Sequence, residues 1–448
     1  MLHSAIYTME ERIKKYKNFK FGMFIHYGLF SMLPEGGWDI MYNDESMSDY
    51  IGRTLPHFDS AQLNTDDWVK AAKDGGMRYV VLTTRHHDGF ALWDSPASWG
   101  NFTSMNSPSK RDLVKEFTDS CAKYDMGVGL YYSPIDWRFP GFYNPLIFRE
   151  SAQEMVEQCH GQLRELTENY GNVDVLWFDG GEDGCVAFGI DFGTRKVPDD
   201  YLSNPRIPGF WREEDILPVI RKNQPNVVIS ERFGSMKNGD FKVFEMRLNT
   251  YNTKDTWEAC ESITKTWSWS PQTQPKSLRE LIKLLITVVT GGGNLLLNLP
   301  ADGKGKLSPS NVNRLKEMGE FVNKYAESIF DTDAGPIVNG KYGGTTHNDN
   351  SVYLHITDWR CDEATFPTLG AKVKEVKCLT ANSLTYREEN GIIYMNVAPG
   401  DKCYYDTIFK ITFEDKIEKI FKDYDPYSFM IDDVDVTYYT DIHKGKQD

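Results

Sequence analysis

Val175-Leu176-Trp177-Phe178-Asp179-Gly180-Gly181 is the stretch on which the fold turns. Bulky apolar residues run up to an acid, and two glycines end the run, so it reads as a strand over 173–179. Successive side chains on a strand point to opposite faces, which sets Val175, Trp177 and Asp179 on one face and Leu176 and Phe178 on the other. If the strand belongs to a barrel, Leu176 and Phe178 meet the surrounding helices while Trp177 and Asp179 point inward near the top. Two readings of Asp179 follow. A carboxylate beside an indole suits a sugar pocket, and an Asp before two glycines also suits the cap of a turn.

Working outward, strand-like and helix-like segments alternate over about the first 310 residues. Strands are read at 21–27, 79–84, 127–133, 227–230 and 294–299. A helix capped by Ser109 follows from Leu113, Val114, Phe117, Cys121 and Tyr124 at steps of three or four. Further helices are read at 66–73, 152–166 and 216–222. Ser277-Leu278-Arg279-Glu280 is a capping box, and Ser308-Pro309 opens a helix to about 327. This pattern implies a mostly parallel sheet, either open and doubly wound or closed as a (β/α) barrel. Polar residues collect at strand C-terminal ends (His26, His86, His87, Tyr131, Asp179, Glu231, Arg232), which is where barrel enzymes gather their chemistry, so the barrel is preferred. After about residue 331, short strand-like runs at 351–357, 373–379, 391–397 and 407–412 predict a small antiparallel β-sandwich. The expected division is a catalytic barrel over 1–335 and a sandwich over 336–448. Two long loops, 33–51 and 182–210, are expected to shape the pocket.

Composition narrows the function. Fifty Lys and Arg against 65 Asp and Glu give the 448-residue chain a net charge of −15, a balance that disfavours nucleic acid. Mean hydropathy is −0.50 and no apolar run approaches the about 20 residues that span a bilayer. Seven cysteines include no C-x-x-C pair, which argues against a disulfide framework and a structural zinc site. Residues 1–20 are charged and carry no secretory h-region. The expected location is periplasmic or extracellular if a signal was removed, and otherwise cytoplasmic. Aromatic residues reach 13%, a surplus that fits either an aromatic-rich core or a cleft for flat or sugar-like ligands.

The candidate chemistry lies at the strand ends. His86 and His87 are suited to hydrogen-bond hydroxyls, with His26 at the end of the first strand. Together with Asp179 these histidines also fit a catalytic zinc site, so a barrel metallohydrolase is a rival reading. In Gly127-Val128-Gly129-Leu130-Tyr131-Tyr132-Ser133, alternation turns Tyr131 and Ser133 inward. Acid/base work on a glycosidic bond needs a second carboxylate, and Glu231, Glu245, Glu258 and Glu261 all qualify. Glu231 is a candidate to pair with Arg232, and Glu245 lies in a loop-like segment.

Several stretches resemble glycoside hydrolase family 29, the α-L-fucosidases. They are Phe21-Gly22-Met23-Phe24-Ile25-His26-Tyr27-Gly28, His86-His87-Asp88-Gly89-Phe90-Ala91-Leu92-Trp93, Lys110-Arg111-Asp112-Leu113, Gln162-Leu163-Arg164-Glu165-Leu166, Leu176-Trp177-Phe178-Asp179-Gly180 and Gly292-Gly293-Asn294-Leu295-Leu296-Leu297-Asn298. The resemblance implies a barrel with a β-sandwich, a metal-free retaining hydrolysis, no cofactor, and a fucosylated oligosaccharide or glycoconjugate as substrate. It puts the nucleophile on Asp179 and sugar contacts on His26, His86, His87, Tyr131, Trp177 and Arg232. The acid/base of many members lies six residues after the glycine of a glycine-aspartate-aromatic start; counted from Gly239, that is Glu245. There are two departures. The glutamate-tryptophan pair of the family's first loop is Gly37-Trp38 here, so Trp38 is the expected sugar contact without the Glu. The threonine-proline before the acid/base is Val243-Phe244. A glycan-binding barrel without catalysis is the remaining alternative.

Overall fold

The computed structural model describes residues 6–33, 36, 40, 43, 45–182, 209–248 and 251–425. Trp38, Tyr42 and nearly all of the loop 182–210 lie outside the described residues.

Eight parallel strands form one sheet: β1 (Phe21–Ile25), β2 (Tyr79–Arg85), β3 (Gly127–Tyr132), β4 (Val175–Phe178), β5 (Val228–Ile229), β6 (Lys242–Glu245), β7 (Trp257–Ser262) and β8 (Asn294–Asn298). Their spatial order is β5-β4-β3-β2-β1-β8-β7-β6. The two edges of that order meet at a parallel bridge between Ser230 and Phe241. Asp240 N–H donates to the Ile229 carbonyl at 2.7 Å and Glu231 N–H to the Phe241 carbonyl at 3.0 Å. The sheet therefore curls back on itself as a barrel, and the open doubly wound alternative is set aside.

Alternation sorts the side chains as read. Val175 and Trp177 join Phe24, Tyr79, Val81, Tyr131, Val228, Val243, Cys260 and Leu296 in a cluster inside the barrel. Leu176, Phe178, Leu130, Tyr132, Val80 and Leu82 pack outward against the helical shell. The shell comprises α2 (Thr65–Asp74), α3 (Leu113–Tyr124), α4 (Arg149–Glu168), α5 (Glu213–Asn223), α6 (Leu278–Thr290) and α7 (Pro309–Lys324). No described helix separates β5 from β6 or β6 from β7. The N-terminal helix α1 (Met9–Lys17) packs near β5 instead, with Arg12 3.1 Å from Asp240.

Local signals held in part. The Ser277/Glu280 capping box opens α6 with both reciprocal bonds present. The predicted Ser109 cap is corrected: α3 begins three residues later, with the Asp112 side chain accepting from Lys115 N–H. Ser109 instead hydrogen-bonds Ser60, tying the preceding loop to the one before α2. The loop-like segment at Glu245 is strand β6, paired in parallel with β7.

Beyond the barrel lie a five-stranded and a three-stranded antiparallel sheet. Val352, Leu354, Phe409 and Ile411 of the larger sheet share one core with Phe366, Ile393 and Met395 of the smaller. This packing is the expected β-sandwich. The strand Gly343–Asn348, unread in the sequence, belongs to the larger sheet. No described helix is long and apolar enough to cross a membrane.

Candidate active site

The C-terminal ends of β1, β2, β3, β4 and β6, with the segment after β5, bring seven of the nine sequence-predicted residues to one end of the barrel. Asp179 follows β4, and the chain turns immediately at Gly180, whose φ is 69°. A Cβ there would sit 3.0 Å from Ile135 and 3.2 Å from His87, so glycine lets the chain leave without filling the pocket. The Asp179 carboxylate faces the site. Oδ1 accepts from Arg232 Nη1 at 2.8 Å, and Oδ2 accepts from the Tyr131 hydroxyl at 2.9 Å. His87 Nε2 stands 3.5 Å from Oδ2. The carboxylate is thus engaged by Arg232 and Tyr131 rather than by the turn at Gly180.

Glu245 ends β6 and accepts from the same Arg232 nitrogen at 2.7 Å. One guanidinium N–H group therefore touches both carboxylates. Their environments pull them apart. Burial raises Asp179, but the Arg232 charge, His87 and the bonds from Tyr131 and Arg232 outweigh it and hold Asp179 below the usual Asp value. Burial and then the Asp179 charge push Glu245 above the ordinary Glu value, against the pull of Arg232. The pair thus favours an ionised Asp179 beside a protonated Glu245. Both remain reachable, with 24% and 38% of their side chains exposed.

The histidines are held neutral. Burial lowers His26 and His87 to about 4 and takes His86 well below its ordinary value. The Asn298 amide donates to the Trp267 carbonyl at 2.8 Å and to Ser262 Oγ at 3.2 Å, so its oxygen turns to His26. His26 Nδ1 donates to that oxygen at 2.8 Å, leaving Nε2 as an acceptor. His87 Nδ1 lies 2.6 Å from Ser133 Oγ. His86 Nδ1 is buried and has no hydrogen-bond partner among the described residues. His86 stacks on Tyr131, with ring centroids 5.8 Å apart.

Trp177 lies deeper. Its ring stacks on Tyr131 at 5.6 Å and carries the Arg232 guanidinium at 5.5 Å. Its Nε1–H is committed to Glu258 Oε1 at 2.8 Å. Glu258, on β7, also accepts from the Tyr16 hydroxyl at 2.7 Å and from the Tyr79 hydroxyl, and it is fully buried in the barrel interior. Trp177 thus supports Tyr131 and Arg232 from beneath, and Glu258 anchors Trp177. The other acids take separate partners. Glu261 pairs with Lys276 at 3.0 Å, and Glu231 accepts from Val243 N–H at 3.2 Å rather than from Arg232. Trp267, unread in the sequence, stands 5.4 Å from the His26 ring and adds an aromatic wall.

His86, His87 and Asp179 bring one ligand atom each within 4.8 Å of one another, so the rival metal site has a geometric basis. His26 is not in that group. A divalent cation there would also face the Arg232 guanidinium, already 2.8 Å from Asp179, and like charges at that range repel.

Burial raises Glu258 to about 7 from 4.5, against the three bonds that lower it. An acid whose folded pKa is raised contributes stability that is complete below pH 4.5 and lost as pH rises through about 7. Measured against Glu258→Gln, the melting temperature of the wild type should therefore fall as pH rises across this window. A pH-independent difference would refute the assignment.

The profile of one family, described as alpha-L-fucosidase, matches residues 6–327. The plasma alpha-L-fucosidase of Homo sapiens is 30% identical over 346 residues, spanning 70% of this chain and 68% of that protein. An alpha-L-fucosidase of Dictyostelium discoideum is 26% identical over 387 residues, 76% of this chain and 77% of its own. The structure of alpha-L-fucosidase isoenzyme 1 from Paenibacillus thiaminolyticus is similar with a TM-score of 0.77 and 27% identity, covering 91% of this chain and 100% of that one.

Proposed function

The chain belongs to the alpha-L-fucosidase family and is a glycoside hydrolase, and from that premise we propose that it is a retaining exo-α-L-fucosidase with Asp179 as nucleophile and Glu245 as acid/base. The observation that carries this reading is the shared Arg232 nitrogen. It lies 2.8 Å from Asp179 Oδ1 and 2.7 Å from Glu245 Oε2, so those oxygens are at most about 5.5 Å apart. Retaining glycosidases hold their carboxyls about 5–5.5 Å apart, whereas inverting ones leave about 6.5–9.5 Å for a water.

Asp179, kept ionised by Arg232 and Tyr131, attacks the anomeric carbon from the face opposite the leaving group. Glu245 gives its proton to the departing oxygen. The product of this step is a β-linked fucosyl-aspartate. Glu245, now ionised, takes a proton from water, which displaces Asp179 and frees α-L-fucose with Glu245 reprotonated. As charge leaves Asp179, the Arg232 and Tyr131 bonds are free to strengthen toward the ring hydroxyls of the oxocarbenium-like transition state. The His26, His86 and His87 rings supply further hydroxyl contacts, and Trp267 offers an apolar face for the sugar's methyl group.

Proton NMR of an aryl α-L-fucoside during the first minutes of hydrolysis tests the stereochemistry. The α anomer of fucose should appear first and then mutarotate. Initial formation of the β anomer would refute a retaining mechanism.

A further inference from the structure

The opposite end of the barrel carries a cleft of about 320 Å³ that no step of the hydrolysis uses. Lys20 precedes β1, Thr253 precedes β7 and Gly292 precedes β8, so the cleft lies at the N-terminal ends of the strands. Its far wall comes from the β-sandwich side, with Asp333, His347, Glu418 and Tyr424.

Lys20 is the anomaly. It is only 2% exposed. Among the described residues its side chain joins no hydrogen bond and no ion pair. Arg78 is 3.3 Å from Asp331, the neighbouring acid, which keeps 70% of its own side chain exposed. Asp333, Asp331, Lys17 and Arg78 are the charges that act on Lys20, while burial lowers it to about 8, so it remains an ammonium at neutral pH. A buried charge that joins no hydrogen bond or ion pair is costly even with Asp333 and Asp331 favouring it from a distance, and a Met or Leu would fill much of the same volume without that cost. The backbone at this position is constrained as well. Lys20 has a φ of 57°, and its carbonyl accepts from Leu295 N–H at 2.8 Å. The side chain is thus held at the cleft rather than left to find water elsewhere.

We infer that this cleft binds a small hydroxylated oxyanion, its carboxylate or phosphate group meeting the Lys20 ammonium with Lys17 beside it. Asp333 and Glu418 repel a second acidic group, so the remainder of the ligand is neutral and donates hydrogen bonds. The volume lies at the small end of ordinary ligand pockets, which run about 300–1,000 Å³. The site is separate from Asp179 and Glu245, and its existence does not depend on their roles.

Thermal melting of the full chain tests the site with gluconate and glycerol 2-phosphate as the two oxyanions. Glycerol serves as the uncharged control and chloride as the ionic-strength control. The wild type should show a saturable rise in melting temperature with at least one oxyanion at about 1–10 mM, and none with either control. Lys20→Met should melt higher than the wild type in chloride alone, lose the oxyanion response, and keep the same kcat on an aryl α-L-fucoside. The wild type supplies an independent reading through acylation followed by peptide mass spectrometry: Lys20 should be modified through the cleft, and more slowly in the presence of the oxyanion that raises melting than without it. No saturable response to either oxyanion up to about 50 mM, or an equal response in Lys20→Met, would overturn the inference. Lys20 modified equally with and without oxyanion would overturn it too.

Discussion

Asp179→Ala should lower kcat on an aryl α-L-fucoside by about 10⁴-fold or more, a barrier increase of about 5 kcal/mol. The loss is large because the variant removes the group that forms the covalent bond, and the bound water left behind lacks a base on that face. The fold should survive. Asp179 lies at a strand end beside the open mouth, with 24% of its side chain exposed, and its partners Arg232 and Tyr131 retain contacts with Glu245 and Trp177. Azide, small enough for the vacated space, should restore part of the rate and yield the β-L-fucosyl azide, because a single displacement inverts the anomeric centre. Wild-type turnover in Asp179→Ala, or an α azide from it, would refute the nucleophile assignment.

Glu245→Ala should produce a loss that depends on the leaving group. A glycan leaving group needs its oxygen protonated, and there the rate should fall by about 10²–10⁴-fold. A nitrophenolate departs with little help, so its first step should suffer less and the fucosyl-enzyme should accumulate for want of a base. Azide needs no base and should speed the second step. Because Asp179 still performs the first displacement, the product should be the α azide, the opposite of the Asp179→Ala product. The pH profile follows the same division. Activity requires Asp179 ionised and Glu245 protonated, so kcat/KM falls on the acid side as Asp179, held low by Arg232, gains a proton. It falls on the basic side as Glu245, raised by burial and by Asp179, loses one. Glu245→Ala should abolish the basic limb with a nitrophenyl substrate. A basic limb that persists unchanged would assign it to another group.

The barrel was legible where a strand was apolar on both faces. Val175–Phe178 separates inner from outer residues by alternation alone, and the structure follows that division. Strand β7 was not legible, because its inward positions are Glu258, Cys260 and Ser262, which resemble a solvated segment. What makes Glu258 an interior residue is three donors lying 242, 179 and 81 positions away in the chain, and no local pattern announces them. Missing β7 also hid Trp267, which lies in the loop that follows it. The site histidines were legible as a group because each follows a strand, but the tautomer of His26 depends on Asn298 at the end of β8. Trp177 was expected at the sugar, yet its indole N–H is directed down to Glu258. Arg232 was assigned by family resemblance alone. Its contact with both carboxylates through one nitrogen appears only when the segment after β5 is brought beside the ends of β4 and β6.

The most direct test of the account traps the covalent step. A 2-deoxy-2-fluoro-α-L-fucosyl donor with a good leaving group should form the fucosyl-enzyme faster than water releases it, since the fluorine destabilises the oxocarbenium-like transition state of both steps while the leaving group speeds the first. Intact mass should rise by one fluorofucosyl unit per chain, and peptide mapping should place that unit on Asp179. A label on any other residue, or steady turnover of the donor with no labelled enzyme, would contradict the account.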